Sequence, residues 1–109
     1  MKLVMAIIHD EDAFQITDTL NDNGYSVTKL ATTGGFLRAG NTTLICGVDD
    51  ERVDGLVSII EKQCRSRKQI TPVSSTHGGS AENYMPYPVE VTVGGATVFV
   101  LNVEEFRKV

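Results

Sequence analysis

The run from Leu3 to Ile8 constrains the fold most, because six consecutive apolar residues leave no polar side for water. A strand with one solvated face alternates apolar and polar residues, whereas a strand covered on both faces is apolar throughout. The run is also much shorter than the roughly 18 residues that suggest a membrane-spanning helix. We therefore predict a first strand that is covered on both of its faces.

Two helices are predicted, and acidic residues open each of them. The first covers about residues 11–23. The acids Asp10, Glu11 and Asp12 lie at its start, and Asn23-Gly24 is a stop signal at its end. The second follows Asp49-Asp50-Glu51 and shows the clearest amphipathic pattern in the chain. Its apolar positions are Val53, Leu56, Val57, Ile60 and Cys64. Cations near its end, Arg65, Arg67 and Lys68, suit the negative end of a helix dipole.

Four further strands are predicted, over residues 25–32, 42–48, 88–93 and 96–103. Gly94-Gly95 makes a two-residue turn between the last two. Residues 69–87 show no periodicity, and an irregular stretch of this length is either a functional loop or partly disordered. Phe14 and Phe99 are expected in the core.

The order strand, helix, strand, strand, helix, loop, strand, strand predicts one ferredoxin-like domain over residues 1–109. This α+β fold has an antiparallel βαββαβ sheet with both helices on one face. Its second sheet face is bare, yet the first and last strands are apolar on both faces. Another copy of the chain would cover that face, so we predict a homo-oligomer.

Composition and motifs exclude several classes of function. A net charge of −4 argues against non-specific binding to nucleic acids or anionic membranes. Cys46 and Cys64 lack metal-site spacing, and without an export signal they indicate buried thiols in a reducing, cytoplasmic compartment. Asn41-Thr42 stands where a phosphate-binding loop needs Lys-Ser/Thr. We therefore assign no metal ligand, cofactor or catalytic residue, and expect no enzymatic activity.

The stretch Thr32–Thr43 is the strongest candidate for a binding site. It places Phe36 and Leu37 directly after a glycine pair and ends near Asn41. Glycines allow close backbone approach, apolar side chains offer flat contact area, and an Asn amide supplies both a donor and an acceptor. A hairpin loop that packs its own apolar residues is the alternative. Similarly, Phe36, Tyr84 and Tyr87 could enclose a base or pack on a neighbouring subunit.

Several motifs together give the chain a specific likeness. They are Lys29–Thr43, Cys46-Gly47-Val48, Gly78-Gly79-Ser80-Ala81, Pro86–Val91 and Gly94–Phe99. With the order of elements, these closely resemble the PII-like cyclic di-AMP receptors (DarA/PstA) over essentially the whole chain. The resemblance implies a cytoplasmic homotrimer that binds cyclic di-AMP in clefts between subunits, transduces a signal and catalyses nothing.

The resemblance also implies a set of ligand-binding residues. One subunit would supply Val27 (through its backbone), Thr28, Gly35, Phe36, Leu37, Asn41 and Gly47, and its neighbour Gly94, Gly95 and Lys108. Asn41 would hydrogen-bond an adenine edge, and Phe36 and Leu37 would pack on a base. Ser26 stands where some members carry an arginine, and Lys108 where a different polar residue is expected.

Three alternatives remain open from the sequence. An ATP-sensing PII-like regulator would need a lysine in the segment that here is His77–Glu82. A metal-binding trimer of the divalent-cation-tolerance type would need spaced ligands, and a structural trimer would need no ligand at all. The long stretch after the second helix is expected to change on ligand binding and to meet a downstream protein partner that the sequence does not name.

Overall fold

The computed structural model describes residues 1–31, 40–72 and 88–109. The strands are β1 (Lys2–His9), β2 (Thr28–Ala31), β3 (Asn41–Val48), β4 (Arg67–Pro72), β5 (Pro88–Val93) and β6 (Ala96–Asn102). The helices are α1 (Asp10–Asp22) and α2 (Val53–Cys64), and a single 3₁₀ turn over Asp50–Arg52 precedes α2.

The main sheet has the strand order β2-β3-β1-β6, and all of its pairs are antiparallel. With β6 as the last strand, β1, α1, β2, β3, α2 and β6 follow the βαββαβ order. The α+β, ferredoxin-like class predicted from the sequence is therefore confirmed. β4 and β5 form a separate two-stranded ribbon, inserted between α2 and β6.

The core lies between one face of the sheet and the two helices. Alternate residues of β1 face the helices and are buried, namely Val4, Ala6 and Ile8. Neighbouring β3 adds Leu44, Cys46 and Val48. The helical pattern also holds, because Ile16 and Leu20 of α1 and Leu56, Ile60 and Cys64 of α2 are buried. These side chains form one continuous core cluster.

One strand was missed by the sequence analysis. The stretch predicted as irregular begins in a strand, because residues 67–72 pair in register with residues 88–93. The sequence Arg-Lys-Gln-Ile-Thr-Pro has no clear apolar–polar alternation. It forms a strand because it pairs with β5, and strand formation depends strongly on such neighbours. Arg67 is consequently the first residue of β4, not a helix-end cation. Residues 73–87 lie outside the described part of the chain.

The predicted burial of two phenylalanines is wrong for the single chain. Phe14 is 81% exposed and Phe99 is 49% exposed. Phe14 directly follows Ala13, so it is rotated about 100° from the stripe that α1 buries. Phe99 lies in β6 opposite Met5, on the sheet face away from the helices. The second predicted strand is also shorter, since Tyr25 precedes β2 and packs in the core.

The sheet face opposite the helices carries an apolar patch. Cross-strand pairing brings Met5 between Ile45 and Phe99, with Leu3 and Leu101 paired beside them. Leu101 is 47% exposed. We call Leu3, Met5, Ile7, Ile45, Phe99 and Leu101 the open-face patch. A contiguous exposed patch of this kind is typical of a protein interface.

Candidate functional site

Three residues predicted to bind ligand meet at one end of the sheet. Asn41, Gly94 and Gly95 of one chain line one cavity of about 410 Å³, whereas the resemblance implied that the two glycines come from a neighbouring subunit. The remaining lining residues are Ile7, His9, Ser66, Ala96 and Thr97. Ligand pockets commonly have volumes of roughly 300–1,000 Å³. The cavity is therefore large enough for a base-sized group, and it is lined by both apolar and hydrogen-bonding groups.

The antiparallel register explains why these residues meet. His9, the last residue of β1, pairs with Asn41, the first residue of β3. On the other side of β1, Ile8 pairs with Ala96, the first residue of β6. The Gly94-Gly95 turn precedes β6 directly. The last residue of β1 and the first residues of β3 and β6 therefore lie at the same end of the sheet.

The backbone on both sides of Asn41 is attached to the first turn of α1. The Asp10 amide N–H donates to the Gly40 carbonyl at 2.7 Å. The Thr42 hydroxyl donates to the Asp10 carboxylate. Both neighbours of Asn41 are thus held by one residue. This arrangement fixes the position of the Asn41 backbone at the mouth of the cavity.

The opposite wall is built from glycine backbone. Gly94 and Gly95 have φ values of 77° and 99°, which side-chain-bearing residues rarely adopt. A Cβ at Gly94 would lie 2.5 Å from Nη1 of Arg67 and 2.7 Å from the carbonyl oxygen of Arg65. The Gly95 N–H donates to the Cys64 carbonyl at 2.5 Å. Only glycine allows this turn to lie so close to the base of the ribbon.

An ion pair between Arg67 and Asp12 lies next to the Gly94-Gly95 turn, which we call the glycine wall. Arg67 donates from Nη2 to Oδ1 of Asp12 at 2.9 Å and from Nη1 to Oδ2 at 3.4 Å. The Asp12 side chain is only 9% exposed. The hydrogen bond to Asp12 and the charge of Asp12 raise the pKa of the Arg67 guanidinium. The pair joins α1 to the first residue of β4.

Neither cysteine has the properties of a nucleophile. Burial, and then the nearby Asp12 carboxylate, raise the pKa of Cys64 to about 11. Burial also raises the pKa of Cys46. A thiol reacts through its thiolate, which a raised pKa makes scarce near neutral pH. Both side chains serve the core.

The other predicted site residues lie elsewhere. Gly47 pairs with Leu3 near the far end of β3, about 20 Å from Asn41 at the usual strand rise. Thr28 pairs with Ile45, on the same sheet face as Asn41 and Gly47, whereas Val27 packs against the core. Lys108 is exposed beyond β6. Gly35, Phe36 and Leu37 lie outside the described residues.

Several residues at the site were not identified as ligand-site residues from the sequence. His9, Ser66 and Thr97 line the cavity, and Asp12 and Arg67 support it from behind. The acid at Asp12 is explained locally by its position in the first helical turn. Its contact with Arg67 joins residues that are 55 positions apart, and nothing in the local sequence indicates that contact.

A second cavity of about 660 Å³ lies between α2 and β6. Its floor includes Val57, Ile60 and Val98, and Glu61 and Arg65 are at its rim. Ser66, Gly95 and Ala96 line both cavities. The two cavities therefore flank the start of β6.

Within 1–31, 40–72 and 88–109, no three His, Cys, Asp or Glu side chains group in a way that could hold a metal ion. In the same ranges, no helix has the length and apolar character required to cross a bilayer.

The protein is a small α+β domain with a ligand-sized cavity at one end of its sheet. Comparison with known proteins identifies the class more closely. The model of the cyclic-di-AMP receptor family matches residues 1–109. The chain belongs to this family, which confirms the resemblance predicted from the sequence.

A solved structure supports the same fold. It is that of a functionally unknown protein from Pediococcus pentosaceus ATCC 25745, with 42% sequence identity and a TM-score of 0.78. The match covers 99% of this chain and 96% of that one. The similarity extends over the full domain and is not limited to one motif.

Proposed function

We propose that the protein is a homotrimeric, cytoplasmic receptor that binds cyclic di-AMP in clefts between subunits. It acts as a PII-like signal transducer and catalyses no reaction. Membership of the cyclic-di-AMP receptor family supports the ligand. The structural observation that carries the proposal is the cavity that brings Asn41 against Gly94 and Gly95.

The chemistry of this cavity suits an adenine base. An Asn side chain can donate to and accept from an adenine edge at the same time, and this pairing is common in adenine recognition. Glycine backbone admits a flat ring at close range because no Cβ stands in the way. Ile7 offers apolar area, and Ser66 and Thr97 add hydroxyl groups.

The distribution of the remaining residues supports a site between subunits. Thr28, Asn41 and Gly47 share the sheet face that carries the open-face patch. Burying that patch against other copies would bring a neighbour's residues to the same face. Because Gly94 and Gly95 already line the cavity with Asn41 of the same chain, the neighbour would contribute Lys108, and Gly35, Phe36 and Leu37 complete the proposed ligand-binding set.

Isothermal titration calorimetry with cyclic di-AMP tests the proposal, with cyclic di-GMP and ATP as comparison ligands. We expect saturable binding of one cyclic di-AMP per subunit and no heat from cyclic di-GMP. Light scattering should give a mass of about three times the 11.9 kDa of one chain. Binding of ATP alone would replace the proposal with an ATP sensor, and no binding of any ligand would refute it.

Replacing Asn41 with alanine should weaken cyclic di-AMP binding by about 1–3 kcal/mol, because an adenine edge is left buried without a partner. This corresponds to roughly a 5- to 150-fold higher Kd. Calorimetry on the variant measures the change directly.

Asn21→Ala is the matched control for this prediction, since Asn21 is exposed on α1. It should bind as the parent does. Equal affinities of the Asn41→Ala variant and the parent would remove Asn41 from the site.

A further inference from the structure

The first turn of α1 contacts both walls of the cavity. Asp10 holds the wall that contains Asn41, through the amide of Asp10 and through the hydroxyl of Thr42. Asp12, two residues later, holds Arg67 behind the glycine wall. One rigid helical turn therefore supports two segments that are distant in sequence.

The contact between Asp12 and Arg67 is directional. Two guanidinium nitrogens face two carboxylate oxygens, and a paired planar geometry of this kind fixes orientation as well as distance. Nη1 also donates to the Arg65 carbonyl at 3.3 Å. The guanidinium occupies the space beside Gly94 where a Cβ would otherwise stand. Arg67 and the glycine wall therefore lie directly next to each other.

Arg67 is also the base of the β4–β5 ribbon. It is the first residue of β4 and pairs with Val93, the last residue of β5. A two-stranded ribbon has little stability of its own. Its orientation therefore depends on how its base is held, and the Asp12–Arg67 pair holds that base.

We propose that Asp10 and Asp12 are positioning residues that set the separation of the two cavity walls and transmit ligand occupancy to the β4–β5 ribbon. The inference deepens the proposed function and rests on it. A ligand that draws Asn41 towards Gly94 moves Asp10 with it, and Asp12 then moves against Arg67. The ribbon turns because its first residue is part of that pair.

The test compares Asp12→Asn with Asp18→Asn, an exposed carboxylate on the same helix. Binding of cyclic di-AMP is measured by calorimetry, and amide hydrogen exchange is measured over residues 67–72 and 88–93. In the parent, the ligand should slow exchange in the ribbon. Asp12→Asn should bind about tenfold more weakly, within the usual range of coupling between sites, and should lose that slowing. Asp18→Asn should match the parent.

A second variant separates positioning from folding. Arg67→Lys keeps the charge at a partly exposed position but loses the two-nitrogen geometry. It should fold and still lose the ligand-induced slowing in the ribbon. Parent-like affinity together with parent-like slowing in both Asp12→Asn and Arg67→Lys would overturn the inference.

A ligand-free measurement distinguishes this inference from the proposed function. Without any ligand, Asp12→Asn should speed amide exchange at Asn41 and Thr42, on the opposite wall from Arg67. If the parent fails to bind cyclic di-AMP but this effect across the cavity is present, the proposed ligand is wrong and the positioning role stands. If binding is normal and the effect is absent, the positioning role is wrong.

Discussion

Replacing Phe99 with glutamate should convert the proposed trimer into monomers of 11.9 kDa that no longer bind cyclic di-AMP. Phe99 lies in the open-face patch, opposite Met5 of the central strand. Burying an ionised carboxylate in an apolar interface costs several kcal/mol per group. In a trimer this cost arises three times, and the like charges also repel one another.

The same substitution at Phe14 provides the control. Phe14 is the more exposed of the two phenylalanines, but it lies on α1, away from the sheet. Phe14→Glu should leave both the mass and the affinity unchanged. Light scattering at micromolar concentration and calorimetry on both variants measure the two effects. An assembled, ligand-binding Phe99→Glu variant would show that the open-face patch is not the interface.

Gly94→Ala should lower the free energy of unfolding by about 2–4 kcal/mol and weaken binding of cyclic di-AMP. Adopting a positive φ costs an alanine roughly 1–2 kcal/mol. The added Cβ would also lie 2.7 Å from the Arg65 carbonyl oxygen, so the backbone must move. Moving Arg67 away instead would disturb its pair with Asp12.

Gly95→Ala separates the two contributions to this loss. Gly95 also has a positive φ, but its nearest neighbour to an added Cβ is the Ser66 Cβ at 3.8 Å. The free energy of unfolding of Gly95→Ala should fall only by the cost of holding an alanine at a positive φ. Urea unfolding of both variants gives the comparison. Equal losses of unfolding free energy in the two variants would mean that the turn relaxes freely and that its contact with the ribbon base does not contribute to stability.

The parts of the fold that were predictable are those that local pattern specifies. Leu3–Ile8 is apolar throughout, and the structure places it in the central strand of the sheet. The apolar spacing of α2 likewise matches its buried residues, Leu56, Ile60 and Cys64. β4 was missed because its strand character depends on pairing with residues 88–93, which local composition does not encode.

Burial of single aromatic residues was harder to predict than the elements that carry them. Phe14 neighbours a buried stripe and Phe99 belongs to an apolar strand, yet both are exposed in the single chain. Hydrophobicity alone does not say which side of an element faces the helices. The sequence suggested Asn41, Gly94 and Gly95 through family resemblance, but the Asp12–Arg67 contact required the three-dimensional structure.

The closed base of the β4–β5 ribbon has an evolutionary consequence. Arg67 pairs with Val93 where the ribbon begins, and Gly95 bonds back to Cys64 where the chain returns. The polypeptide leaves and re-enters the domain at adjacent points. Insertions and deletions between such points leave the register of β6 unchanged. The segment beyond the ribbon can therefore vary in length between lineages while the main sheet keeps its register.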